Sequence, residues 1–393
     1  MTESLFQKED QYFFRTYKRL SLDIVRGEGA YLFDRLGKRY LDFFGGLAVN
    51  ALGYDHPRVK QAIQRQLEKY IHLSNFFVME PQVVFAEKLL NITGYQRLFL
   101  TNSGTEAIEG AIKLARKWGG ANGKSMLYGL TNSFHGRTMG ALSLTERPKY
   151  REGYEPFLPN VGHIKYNDVR DLRSKVGEQT LGIVVECLQG EGGVNLMSHE
   201  FAEELKSLRE RYGFLLIADE IQSGVGRTGR FFGFEHFGLS PDIVVIAKAI
   251  GGGLPLGAFL GSEKVAGVFT YGVHGTTFGG NPVACAAGIA VLEEVVEHGL
   301  MRRAAEIGNV LAGMFLELKN EFSSLVKDVR GFGCMLGIEL SREGQPVVES
   351  LQERGILVNC TNATVLRFLP PYIVSRDECE TVVAELRSAL LSL

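Results

Sequence analysis

The sequence predicts an α/β fold, in which a large domain is built on a mostly parallel central sheet and joined to a smaller α+β domain. Three observations carry that expectation. Residues 182–186, 214–219 and 242–248 are near-continuous apolar runs, the texture of parallel strands covered on both faces. Amphipathic stretches alternate with them, such as 106–118 and 199–212, the latter with Phe201, Leu205 and Leu208 at helical spacing. From about residue 284 the texture changes to one long helical region, 284–322, then short strand-like pieces at 333–340, 356–358 and 365–369, and a last helix at 376–393. Near the start, Tyr31-Leu32-Phe33 and Tyr40-Leu41-Asp42-Phe43 flank the Gly37-Lys38 turn as the arms of a hairpin do. The expected division gives residues 1–45 to the smaller domain, 46–283 to the large one and 284–393 to the rest of the smaller one.

A chain of 393 residues is long enough for two domains. Its 45% hydrophobic and 22% charged residues are those of a globular enzyme, and a formal net charge of −2 offers no attraction to nucleic acid or an anionic membrane. The N-terminus has neither the basic nor the apolar segment of a secretion signal, and no run approaches the roughly 18 apolar residues that cross a bilayer. A cytoplasmic location is therefore expected. The five cysteines show no C-x-x-C spacing and the eight histidines no ligand spacing, so reduced thiols and no metal site are expected.

Chemistry concentrates at the ends of the apolar runs. Lys248 closes 242–248 and is followed by Ala249-Ile250-Gly251-Gly252-Gly253. Burial lowers the pKa of a lysine by desolvating its charged form, and a neutral amine attacks a carbonyl, as a Schiff-base lysine must. Asp219 closes 214–219, where a lone carboxylate is costly without a cationic partner. A pyridinium nitrogen is such a partner, and an acid beside it keeps the ring protonated as an electron sink. Gln222, three residues on, is placed to reach a phenolic oxygen of the same ring. Upstream, Asn102-Ser103-Gly104-Thr105-Glu106 joins a strand-like run to a helix start, where hydroxyls and free N–H groups cradle a phosphate. Taken alone, Ser103 reads more readily there as an ordinary N-cap. Strand-end acid and strand-end amine belong on the carboxyl edge of the sheet, where open α/β folds bind ligands. Cradle, acid and amine together suit pyridoxal 5′-phosphate.

These residues lie within an ordered series of motifs. The series runs through Thr16-Tyr17, Arg26-Gly27-Glu28-Gly29, Asn102-Ser103-Gly104-Thr105-Glu106-Ala107, Phe134-His135-Gly136-Arg137-Thr138 and Gln189-Gly190-Glu191-Gly192-Gly193. It continues with Ala218-Asp219-Glu220-Ile221-Gln222, Gly224-Val225-Gly226-Arg227-Thr228-Gly229, Ala247-Lys248-Ala249, His274-Gly275-Thr276-Thr277-Phe278-Gly279-Gly280-Asn281-Pro282 and Leu366-Arg367-Phe368-Leu369-Pro370-Pro371. Spanning essentially the whole chain, it resembles the class III aminotransferases of fold type I, which depend on pyridoxal phosphate. The resemblance implies that Lys248 holds the cofactor and then shuttles a proton, that Asp219 pairs with the pyridine nitrogen, that Phe134 stacks on the ring and that Gln222 approaches its hydroxyl. Ser103, Gly104 and Thr105 would bind the phosphate, with Thr277 reaching it from a second subunit and Thr276 the weaker assignment of that pair. Sites of the family lie at a subunit interface, so a homodimer with a shared active site is implied.

The likeness is greatest to family members that move the terminal amine of N-acetylornithine to 2-oxoglutarate, a step of arginine biosynthesis that yields N-acetylglutamate 5-semialdehyde and glutamate. Such a donor reacts far from its carboxylate, whereas glutamate reacts beside one carboxylate and carries the other several bonds away. One site for both needs a distal anchor used by each and a proximal anchor used by glutamate alone, and arginine suits planar carboxylates. By resemblance Arg137 is the distal anchor, Arg367 the proximal one, and Glu191 neutralises Arg367 until glutamate arrives. Tyr17 falls where ornithine-using relatives contact the donor. Leu47 falls where those relatives carry a tyrosine for the free α-ammonium, which an apolar side chain cannot bond. Use of 4-aminobutyrate or N-succinylornithine stays open at this point, as does a catalytically silent binding or regulatory homologue. Two departures from the family pattern, Cys187 and Asn195 where prolines are usual, restore backbone N–H donors without removing a chemical group.

Overall fold

The computed structural model describes residues 5–392. Its central sheet has seven strands in the order Arg97–Thr101, Gly257–Gly261, Ile243–Ile246, Leu215–Asp219, Thr180–Val185, Met126–Leu130, Val161–Ile164. Gly257–Gly261 is antiparallel to both its neighbours and every other pair is parallel. The three apolar runs are the adjacent strands at the centre, and every residue in them is buried. Successive side chains point to opposite faces. Leu215, Ile217, Ile243 and Val245 meet the helix Gly104–Ala121, while Leu216, Ala218, Val244 and Ile246 enter the larger core on the other face. Two apolar faces per strand explain the unbroken apolar texture.

Two four-stranded sheets and a two-stranded ribbon, Leu188–Gln189 with Asn195–Leu196, accompany it among the described residues. Ile24–Glu28, Tyr31–Asp34 and Arg39–Asp42 form an antiparallel meander, joined in parallel by Ile356–Leu357 from the far end of the chain. The expected hairpin is its central pair, and Asp34 Oδ1 shapes the turn by accepting from Leu36 N at 3.0 Å and Lys38 N at 2.9 Å. The second sheet orders Val326–Phe332, Met335–Leu340, Val365–Phe368 and Asn359–Thr361. The strand Val326–Phe332 was not expected, because its Lys327, Asp328 and Arg330 give it a polar texture. The expected helix 284–322 is interrupted. Pro282–Leu292 passes into a π-helical turn, Glu293–Glu297, and Gly299 at φ 79° turns the chain before Leu300–Glu321. The last helix is Arg376–Leu391, started by a capping box between Ser375 and Glu378; residue 393 of the expected span lies outside the described residues.

Arg227 ties the parts together. Fully buried, it donates from Nη1 to Cys334 O at 3.2 Å and Pro370 O at 2.5 Å, and from Nη2 to Ala48 O at 3.5 Å, with its guanidinium 4.6 Å from the Tyr372 ring centre. Ala48 ends a run of four left-handed residues, Gly45 to Ala48, with φ of 57°, 58°, 61° and 68°. Left-handed Leu47 and Ala48 cost roughly 1–2 kcal/mol each. The Asp42 carboxylate holds the entry to this turn, accepting from Phe44 N at 2.7 Å and Gly45 N at 3.1 Å, and from the Tyr54 hydroxyl.

Candidate active site

Three adjacent strands deliver their carboxyl ends to one edge of the sheet. Asp219 pairs in register with Val245 and Ala218 with Val185. Asp219 therefore stands between Glu186, just past one strand, and Ala247-Lys248, just past the other. All three elements line a cavity of about 590 Å³. Ser103, Gly104, Thr105 and Phe134 line it from the upstream loops, and Arg137, Glu191 and Gln222 complete it.

Lys248 is not the last residue of its strand. The strand ends at Ile246, and Lys248 opens a tight turn, Lys248–Gly251, with φ at 52°. A left-handed lysine costs about 1–3 kcal/mol, strain of the kind that persists where surrounding packing imposes it. Burial lowers its pKa to about 8, against the partial support of Glu191 and with Arg367 pushing the same way as burial. The amine is thus closer to its neutral form near physiological pH than a surface lysine.

Asp219 is anchored on both oxygens. Oδ2 lies 2.7 Å from His135 Nδ1, and Oδ1 accepts from Ile221 N at 3.1 Å. Burial opposes charge on His135, but its bond to Asp219 and the nearby carboxylates prevail and raise its pKa. Its Nε2 is buried without a partner among the described residues. Glu186 accepts from Phe134 N at 2.8 Å, so it fixes the backbone that carries the aromatic ring, and burial pushes its own pKa to about 7. Neither His135 nor Glu186 was expected in the site. The available signals were the place of His135 inside Phe-His-Gly-Arg-Thr and that of Glu186 one step beyond an apolar strand, level with Asp219.

At the phosphate end, Ser103 caps the helix Gly104–Ala121, its hydroxyl accepting from Glu106 N at 3.3 Å. Ser103 is thus an N-cap that also lines the cavity. Gly104 and Thr105 open the helix, where N–H groups lack intrahelical acceptors. Thr105 Oγ1 and Thr138 Oγ1 share a hydrogen bond of 2.9 Å. Gly136, at φ 138°, lets the loop press against Thr105, since a Cβ there would overlap the Thr105 hydroxyl. A Cβ on Gly104 would come within 2.6 Å of Ile221. The cradle is shaped by the absence of side chains.

Arg367 lies behind the cavity wall. Its side chain is fully buried, with Nη1 donating to Glu191 Oε1 at 2.6 Å and to Gln222 Oε1 at 3.1 Å, and Nε to Asn359 Oδ1 at 3.2 Å. Nη2 is buried with no partner among the described residues. Glu191 pays the desolvation of its carboxylate but is held ionised, its pKa lowered, chiefly by Arg367. With its Oε1 turned to Arg367, the Gln222 amide keeps its NH2 for another acceptor. Arg137, by contrast, is exposed, its guanidinium 4.1 Å from the Tyr150 ring centre and 5.3 Å from that of Phe134. One arginine is sealed behind a carboxylate and the other stands at the mouth.

Three expected positions are not brought into this cavity. Tyr17 is 75% exposed in the N-terminal segment, near Arg19. Thr277 is exposed and lines a separate hollow of about 730 Å³ with Phe76, while the Thr276 hydroxyl accepts from Gly279 N at 3.1 Å. Leu47, 37% exposed, does not line the cavity; Val49 and Leu254-Pro255-Leu256 supply the apolar wall instead. The residues present nevertheless fit pyridoxal phosphate: a depressed-pKa amine, an anchored carboxylate, an aromatic ring, a free amide NH2 and a glycine-shaped helix start face one space.

Residues 12–390 match the family described as aminotransferase class-III. The chain is 44% identical over 383 residues to the acetylornithine aminotransferase of Aquifex aeolicus (strain VF5), covering 96% of this chain and 100% of that one. It is 41% identical over 385 residues to the acetylornithine aminotransferase of Methanocaldococcus jannaschii, covering 97% and 96%. Among solved structures, the ornithine aminotransferase of Toxoplasma gondii ME49 superposes with a TM-score of 0.93 at 31% identity, over 98% of this chain and 94% of that one. A transaminase from the marine bacterium Virgibacillus gives a TM-score of 0.94 at 26% identity, over 99% of both.

Proposed function

The chain belongs to the class III aminotransferase family, and on that premise we propose that it transfers the terminal amine of N-acetylornithine to 2-oxoglutarate. It is a pyridoxal-phosphate-dependent aminotransferase, so its substrates are a small-molecule amino donor and a keto acid. The observation that carries the choice of donor is the paired arrangement of Arg367 and Arg137. Arg367 is buried and masked by Glu191 at 2.6 Å, whereas Arg137 is exposed. A donor with one remote carboxylate binds Arg137 and leaves the Glu191–Arg367 pair intact. Glutamate binds both arginines and displaces Glu191.

Pyridoxal phosphate, when bound, supplies a protonated ring that withdraws electrons from the carbon bearing the transferred amine. The remaining work falls to the chain. Lys248 Nζ would hold the cofactor, and its amine would carry a proton to and from the reacting carbon. Asp219, anchored by His135 and Ile221 N, presents negative charge to the ring nitrogen. Gln222 offers its NH2 to the ring oxygen, Phe134 covers one ring face, and Ser103, Gly104 and Thr105 take the phosphate. Val49 and Leu254–Leu256 exclude water and offer no partner to a free α-ammonium, which disfavours unacylated ornithine.

Completion of the site by a second copy is part of this reading. Thr277 then reaches the phosphate across a homodimer interface, and Tyr17 meets the donor when the N-terminal segment is covered. Support comes from Phe76, 98% exposed in the hollow that Thr277 lines, and from Phe278, 60% exposed next to Thr277. The free cysteines suit a reducing compartment, the cytoplasm. Among the described residues no helix is long and apolar enough to cross a membrane. The test is a panel of N-acetylornithine, N-succinylornithine, ornithine and 4-aminobutyrate with 2-oxoglutarate. N-acetylornithine should give the highest kcat/KM; preference for any of the other three overturns the assignment.

A further inference from the structure

A gate that opens must leave its carboxylate somewhere. On the reading above, the proximal carboxylate of glutamate takes Arg367 and drives Glu191 off it. The displaced group is a buried anion that has lost its main counter-charge, a costly state unless another cation receives it. Arg147 is in place to do so. It is 9% exposed, and its Nη1 donates to the carbonyl oxygen of Glu191 itself at 2.5 Å. Thr361 Oγ1 donates to the same oxygen at 2.6 Å. The backbone at Glu191 is therefore pinned, so opening is a side-chain rotation and not a loop movement. Arg147 also faces the Tyr150 ring at 5.5 Å, and among the described residues no carboxylate pairs with it. Its charge already acts on the Glu191 carboxylate, helping Arg367 and Lys248 to hold it ionised against burial. Lys248, the other cation facing Glu191, is occupied with bond chemistry during turnover.

We propose that Arg147 positions the open gate: it is the fixed cation to which the Glu191 carboxylate swings when a dicarboxylate occupies Arg367. This rests on the two-anchor reading of the substrates. Arg147→Gln keeps an N–H donor for the Glu191 carbonyl but removes the charge, and Arg147→Lys keeps the charge. Thr361→Val removes the second bond to that carbonyl with no change of charge.

The holoenzyme is tested in single-turnover absorbance measurements of each half-reaction, and by calorimetric titration with glutarate, a dicarboxylate with no reacting nitrogen. Arg147→Gln should slow the glutamate half-reaction, and weaken glutarate binding, by roughly 10-fold more than it slows the donor half-reaction. Arg147→Lys should recover most of that difference, and Thr361→Val should affect both halves alike. Equal losses in the two halves, unchanged glutarate affinity, or a lysine variant no better than the glutamine variant overturns the proposal. A crystal structure of the wild-type enzyme with glutarate decides the matter without a variant. Glu191 within ion-pair distance of Arg147 supports it, and Glu191 elsewhere overturns it. Inactivity of the wild type towards N-acetylornithine would instead strike the donor assignment and leave the glutarate measurements to judge the gate.

Discussion

Lys248 is costly to the folded protein before any cofactor binds. Its pKa is about 8 when folded, against the ordinary lysine value of 10.5. Between those values the unfolded chain binds more protons, so stability rises with pH across that window and the full cost is felt below pH 8. Lys248→Met should therefore stabilise the cofactor-free protein at pH 7 by about 1–3 kcal/mol in denaturant melts, with the gain vanishing above about pH 10.5. A variant equally stable or weaker at pH 7 would show that the amine is not desolvated. The same substitution should abolish transamination. That Lys248, Asp219 and Gln222 line one cavity was legible in the sequence, because residues that close or follow neighbouring parallel strands come to the same edge of the sheet. His135 and Glu186 were not, since a histidine inside a loop motif and a glutamate past a strand announce no partner; only the register of the sheet sets both beside Asp219.

At the scale of elements, the site is a set of strand ends and one helix start, and its precision comes from loops without side chains. Gly136 is the sharpest case, with φ at 138° and no room for a Cβ against Thr105. Gly136→Ala should push the Thr105 hydroxyl out of the cradle. The expected result is roughly 10-fold weaker pyridoxal phosphate binding with about 1–3 kcal/mol lost in stability, read by cofactor titration and thermal melts. Unchanged affinity would remove Thr105 from the phosphate site. The central strands and the helix after Ser103 were legible because their apolar faces have two sides to fill. Less legible were elements whose texture is set by neighbours. The strand Val326–Phe332 carries charges along a half-covered face, and the π-helical turn and Gly299 break a helix whose apolar pattern runs on. Lys248 itself lies two residues past its strand because the chain turns left-handed there, which an apolar run does not disclose.

At the scale of the whole molecule, one chain brings together the amine, the acid, the cradle and both arginines but leaves Tyr17 and Thr277 outside the cavity. Those two were reached by likeness to a family, and their proposed roles rest on the proposed dimer. Phe278, 60% exposed beside Thr277, belongs to the surface that this copy would cover. Phe278→Asp should shift the enzyme from dimer towards monomer in sedimentation velocity, with cofactor affinity falling in step. A dimer of unaltered affinity would place the interface elsewhere.

The central claim is that one site accepts two substrates because Glu191 masks Arg367 for one and leaves it for the other. Glu191→Gln tests it most directly, with each half-reaction followed in a single turnover. The donor half-reaction should lose far more than the glutamate half-reaction, because only the donor leaves Arg367 without a substrate carboxylate to neutralise it. Equal losses in the two halves would contradict the account.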